Sequence, residues 1–185
     1  MASSVAQLKC TITTPSSYRT YTSGDMVCAW MLISGSSGDS NRSGVQVGYA
    51  TEPQVSSVSP HYFWGHITTS GTYTETRATS GPSTGSSDSY LISTVSGGWK
   101  AYIDGDEYFY YIGSISTPQG VQAAQETNCQ KFYGTSSSRV AFSNLYYMSS
   151  GGSTWVKPSL SWVQNSPGSI NTTSYGSSNI FSTWQ

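Results

Sequence analysis

The feature that most constrains this chain is the spacing of its breakers. Gly, Ser, Asn, Asp and Pro recur so often that no window of about eleven residues keeps an i, i+3, i+4 apolar pattern. Helices cannot be sustained on such a pattern, whereas the short runs between breakers suit half-buried strands. Strand patterns fall at 7–13, 26–33, 44–50, 61–68, 72–78, 89–95, 99–103, 107–112, 120–128 and 140–148, with a further one at 160–164. The stretches 34–43 and 80–88, built largely of Gly, Ser, Asp and Pro, read as surface loops. The clearest local signal is a three-stranded meander over 89–113, with Gly97-Gly98 as one turn and Asp104-Gly105 as the other. About eleven short strands cannot bury their faces in one open sheet. The expected class is therefore all-β, a jelly-roll β-sandwich of two packed antiparallel sheets.

At 185 residues with no break in composition, a single domain spanning 1–185 is expected. Its polar tail, 166–185, carries Ile180, Phe181 and Trp184 and is expected to dock on the sandwich as an irregular segment. Leu, Ile, Val and Phe are scarce, but 14% aromatics and a net charge of −1 argue against disorder, so Tyr and Trp must build the core. Charged residues make up only 9%, leaving no basic surface for phosphates, and nucleic acid is not an expected partner. A surface rich in Ser, Thr, Gly and Tyr and poor in Lys and Glu points to a secreted microbial protein, expected to be a monomer. No apolar run approaches the roughly 20 residues of a membrane helix, so no membrane span is expected.

Cys10, Cys28 and Cys129 form an odd set. Cys10 and Cys28 flank the turn region 15–24 and are the favoured disulfide, with three small buried thiols as the alternative. No Cys/His spacing resembles a metal site, and no cofactor is implied. Asp104, Asp106 and Glu107 lack calcium-loop spacing, and a hairpin turn accounts for Asp104. His61 and His66, five apart, point to opposite faces of a strand and cannot share a ligand. No Gly-x-Ser-x-Gly elbow, phosphate loop or Glu-x-Asp-x-x-Glu strand occurs, which argues against a serine hydrolase, a nucleotide site and a glucanase. Asn41-Arg42-Ser43 and Asn171-Thr172-Thr173 match the glycosylation acceptor pattern.

Two segments, Trp99-Lys100-Ala101-Tyr102-Ile103-Asp104-Gly105 and Val140-Ala141-Phe142-Ser143-Asn144-Leu145, resemble the later half of concanavalin-like lectin and glucanase jelly rolls. Within that fold, Gly44-Val45-Gln46-Val47-Gly48 resembles the strand bearing the catalytic glutamine of the glutamic peptidases, or eqolisins. Ala124-Gln125-Glu126-Thr127-Asn128 is similar to the glutamate strand of that group and of the neprosin-like proteins. The resemblance implies a concanavalin-like sandwich and an acid-active, metal-free endopeptidase, with a polypeptide as substrate and Gln46 and Glu126 as its dyad. Two departures stand out: Gly65 lies where relatives often carry a carboxylate, and no tryptophan adjoins Glu126. In an alternative register Gln130 takes the catalytic position and the chain is inactive.

Strand alternation places Gly44, Gln46 and Gly48 on one face, and Gln122, Ala124, Glu126 and Asn128 on one face of the later strand. Gln46 would donate to a developing oxyanion, and Glu126 would serve as base toward water and then as acid toward the leaving amine. Tyr62, Trp64 and His66 alternate on one face of the next strand and, with Gln122 and Asn128, are the expected substrate-binding residues. A competing expectation is a non-catalytic lectin-like module that binds a glycan by stacking on Tyr and Trp, or an inactive peptidase relative.

Overall fold

The computed structural model describes residues 4–18, 21–35, 43–52, 59–115, 118–129, 132–159, 171–173 and 181–184. Twelve strands follow in chain order: β1 (Val5–Thr13), β2 (Val27–Ser34), β3 (Gly44–Thr51), β4 (His61–Ile67), β5 (Tyr73–Arg77), β6 (Ser87–Val95), β7 (Gly98–Ile103), β8 (Asp106–Ile112), β9 (Gly120–Thr127), β10 (Val140–Ser149), β11 (Asn171–Thr172) and β12 (Phe181–Trp184). They form two antiparallel sheets. The larger has seven strands in the order β11-β12-β10-β1-β6-β7-β8, and the smaller five in the order β5-β4-β3-β2-β9. The chain is thus an all-β sandwich. The expected strand at 160–164 and the residue Gln130 lie outside the described residues.

Each sheet contributes one side-chain parity to the space between them. From the larger sheet come Leu8, Cys10, Ile12, Tyr90, Ile92, Ala101, Ile103, Phe109 and Phe142; from the smaller come Ala29, Met31, Ile33, Val45, Val47, Tyr49, Tyr62 and Trp64. β2 lies inside its sheet and is covered on both faces, which explains its unbroken apolar run Val27-Cys28-Ala29-Trp30-Met31-Leu32-Ile33. On its outer side Cys28 and Trp30 join Ala50 and Phe63 in a second, smaller buried cluster. The scarcity of aliphatic residues is met by aromatics: Tyr133 packs against Tyr18, Tyr21 and Tyr49, and its hydroxyl donates to Val27 O at 2.8 Å. Tyr62 donates across the interior to Asp88 Oδ2 at 2.9 Å, tying the two sheets together.

The meander forms as expected. Asp104 and Gly105 both take positive φ, 52° and 92°, as a two-residue turn of the primed type requires. The other turn is carried by Gly97 at φ 79°, and Gly98 already belongs to β7. The tail is not wholly irregular. Its residues 181–183 pair with β10 and 183–184 with β11, with Phe181 stacked on Phe142 and Trp184 under the Arg139 guanidinium. Gln125 of β9 donates to the Thr183 hydroxyl, so this strand also links the sheets.

The Cys10–Cys28 disulfide does not form. Cys10 points from β1 into the space between the sheets, whereas Cys28 points to the outer side of the smaller sheet, and none of the three cysteines is in a disulfide. Burial pushes the Cys10 thiol up to about 12 and the Cys28 thiol well above its usual range, with Glu126 adding to the latter.

Candidate functional site

The outer face of the five-stranded sheet carries the polar residues singled out in the sequence. Val45, Val47 and Tyr49 face the interior, so Gln46 faces out. By the same alternation Gln122, Ala124 and Glu126 face out from β9. Gln46 and Glu126 therefore share a face, but not a level. Leu32 of β2 pairs with Gln46 on one side and with Gln122 on the other, while Glu126 lies opposite Cys28 and, beyond it, Ala50. Four residues separate the two levels, about 13 Å along the strand at a rise of ~3.3 Å. Adding the two strand spacings between β3 and β9 brings the Cα separation to about 16 Å. The two residues thus rise from the same face four positions out of step along β2. Glu126 instead accepts a hydrogen bond from the Trp30 indole N–H at 3.1 Å, its side chain remaining exposed.

The row through Gln46 reads Gln122, Leu32, Gln46, Gly65, Glu75 across five strands. Two carboxamides flank a half-buried leucine. On the other side Gly65 contributes no side chain, and a bridge spans the gap: Gln46 Nε2 donates to Tyr73 Oη at 3.0 Å, and Tyr73 donates to Glu75 Oε2 at 2.7 Å. A Cβ on Gly65 would lie 2.7 Å from Tyr73 Oη and 2.8 Å from Gln46 Nε2. Glycine is thus what lets the bridge lie across β4. The carboxylate at this level is that of Glu75, one strand further out. Arg77 pairs with Glu75 Oε1 at 2.6 Å and with Glu52 Oε2 at 2.8 Å. Burial holds the Glu52 carboxyl above its usual range, partly offset by the guanidinium.

The expected aromatic subsites turn the other way. Tyr62 and Trp64 are buried between the sheets on the face opposite Gln46, and His66 stacks on Tyr111 of β8 at 3.9 Å. Neither Tyr62 nor Trp64 offers a platform to a sugar or a peptide side chain. Asn128, just beyond β9, accepts from Met26 N–H at 2.7 Å and donates to Gly24 O at 3.0 Å, which makes it a clamp for the turn before β2. Gln122 is exposed on the outer face. Tyr73 and Glu75 were missed in the sequence because their short strand is mostly polar and exposed, and only pairing with β4 brings it to Gln46. No group of three or more His, Cys, Asp or Glu that could hold a metal occurs among the described residues.

The fold is similar to that of solved glutamic peptidases. Scytalido-glutamic peptidase, crystallised with a peptide-based transition-state analog, aligns over 100% of this chain and 94% of its own, with a TM-score of 0.64 and 14% identity. SCP-B, a member of the eqolisin family of peptidases in complex with the tripeptide Ala-Ile-His, aligns over the same shares with a TM-score of 0.62 and 14% identity. No protein-family profile matches the chain, and no sequence among the curated proteins does.

Proposed function

We propose that the protein binds extended polypeptide along the outer face of the five-stranded sheet, at the level of Gln46 and Gln122, and does not cleave it through a Gln46–Glu126 dyad. One observation carries this reading: the residue level with Gln46 across β2 is Gln122, an amide that cannot act as a base. A carboxamide offers a donor and an acceptor side by side, the same pair that a peptide bond presents, so two of them flanking Leu32 suit a backbone laid over this row. The full-length likeness to solved peptidases that hold peptidic ligands supports polypeptide as the ligand class. The Ser/Thr/Gly/Tyr-rich, Lys/Glu-poor composition supports secretion.

A hydrolytic second reading rests on the Gln46–Tyr73–Glu75 bridge, which puts a carboxylate one hydroxyl away from the amide. Both Glu75 oxygens are already engaged, by Tyr73 and Arg77, which is why binding is favoured over cleavage. The test is incubation of a labelled unstructured peptide with the wild type, Glu126→Gln and Glu75→Gln, from acid to neutral pH. Fluorescence anisotropy follows binding, and mass spectrometry reads the integrity of the peptide. Saturable binding with intact peptide in all three is expected. Cleavage abolished by Glu126→Gln would overturn the proposal, and cleavage abolished by Glu75→Gln alone would establish the second reading.

A further inference from the structure

We infer that Tyr73 and Glu75 are positioning residues that hold the Gln46 carboxamide in one of its two flips, so that a ligand on the outer face is offered both a carbonyl oxygen and an N–H, and the face selects ligands containing a backbone amide. This inference rests on the reading of the outer face as a polypeptide site.

The argument is one of proton counting. An ionised carboxylate only accepts hydrogen bonds, so across the 2.7 Å contact with Glu75 Oε2 the hydrogen belongs to Tyr73. A phenol has a single proton, and with that proton spent Tyr73 Oη can only accept from Gln46. The atom of Gln46 at 3.0 Å must then be Nε2 and not Oε1. This follows from the chain of donors alone, independently of any distinction between nitrogen and oxygen in the coordinates. Arg77 closes the chain at its far end. Its Nε donates to Glu75 Oε1 at 2.6 Å, so the carboxylate cannot turn away from Tyr73 without losing a charged partner. Gly65 keeps the crossing open, since any Cβ there would collide with both bridging atoms.

The bridge uses one of the two N–H groups of Gln46. The other N–H and Oε1 face away from Tyr73. That pair complements the C=O and N–H of a polypeptide backbone, whereas a backbone ester supplies no N–H to Oε1. The site should therefore discriminate an amide from an isosteric ester at the position over Gln46.

The experiment compares a peptide with analogues in which one backbone amide at a time is replaced by an ester, using wild type, Tyr73→Phe, Glu75→Gln and, as a control on the opposite side of β5, Thr74→Ala. Independently of any ligand, NMR of the Gln46 side-chain amide reports whether one of its protons is held in a hydrogen bond. The wild type and Thr74→Ala are expected to show one protected amide proton and about tenfold weaker binding of one ester analogue, the worth of a single hydrogen bond. In Tyr73→Phe and Glu75→Gln the protection should be lost and the ratio should fall toward one, with circular dichroism confirming folded protein. Identical Gln46 amide signals in wild type and Tyr73→Phe would overturn the inference, as would equal amide and ester affinities in the wild type. If no peptide binds the wild type, the polypeptide reading fails, and the NMR result still decides whether Gln46 is locked.

Discussion

Replacing Gln122 by Glu tests the geometry of the outer face most sharply. β3 and β9 flank β2, so the Cα atoms of Gln46 and Gln122 stand about 9.5 Å apart across the strands. If each side chain leans about 2 Å inward, roughly 5.6 Å remains between their ends, the span of one water making two hydrogen bonds of ~2.8 Å. A carboxylate at 122 would then face an amide over a shared water, level with Gln46 rather than four residues away as Glu126 is. A positioned general base contributes about 10²–10⁴ in rate, and a positioned oxyanion donor about 10²–10³. Gln122→Glu should therefore cleave a denatured substrate at least about 10² faster than wild type near pH ~4, where a carboxyl of ordinary pKa populates both of its forms. Adding Gln46→Ala should remove most of that gain. Position 122 is exposed on its strand, so the substitution should shift stability by no more than about 0.5 kcal/mol. Folded Gln122→Glu protein that cleaves no faster than wild type would refute the argument that this row is where a water can be held between two side chains.

Three further outcomes follow from the interior and the buried ionisable groups. The hydroxyls of Tyr49 and Tyr90 are buried without a hydrogen-bond partner among the described residues, so Tyr49→Phe and Tyr90→Phe should each raise the unfolding free energy by about 1 kcal/mol in urea titrations. His61 is held below its ordinary pKa by burial and then by Arg77, and His66 by burial. Both therefore bind protons more readily when unfolded, and the stability they contribute is present above the unfolded value of ~6.5 and lost as pH falls toward their folded values. A melting temperature that drops between neutral and mildly acidic pH, with a shallower drop in His61→Phe, is expected; an unchanged slope in that variant would refute the assignment. In native protein a thiol reagent should modify Cys129 well before the buried Cys10 and Cys28, and reductant should leave the melting temperature unchanged.

The elements were legible in the sequence because alternation and turn chemistry act locally. Asp104-Gly105 fixes a hairpin wherever it occurs between strand patterns, and Gln7, Lys9 and Thr11 alternating with Leu8, Cys10 and Ile12 show which side of β1 is dry. The register was not legible. Side-chain parity repeats every two residues, so Gln122 and Glu126 belong to the same face, and only the pairing of both neighbours with β2 decides which of them meets Gln46. The orientation of β4 was hidden for a related reason. His61, Phe63 and Gly65 face out while Tyr62 and Trp64 face in, and with apolar residues on both parities the run does not announce its buried side. β12 escaped because four residues are too few to display a period, and its place is set by β10 and by Gln125 of the opposite sheet.

The central position of β1 governs how the protein can be made. This strand lies between β6 and β10, so residues 7–13 pair on one side with residues 87–93 and residues 5–13 on the other with residues 141–149. A chain emerging from the ribosome must hold this strand unpaired until residues 87–93 have been synthesised, and cannot complete the described sheet until β12 arrives. Contacts so distant in sequence make for slow folding and a long-lived open edge on the nascent chain. The Lys9 ammonium, held in the finished protein over the rings of Trp155 and Tyr146, meanwhile places a charge in that strand, of the kind that discourages pairing with other chains.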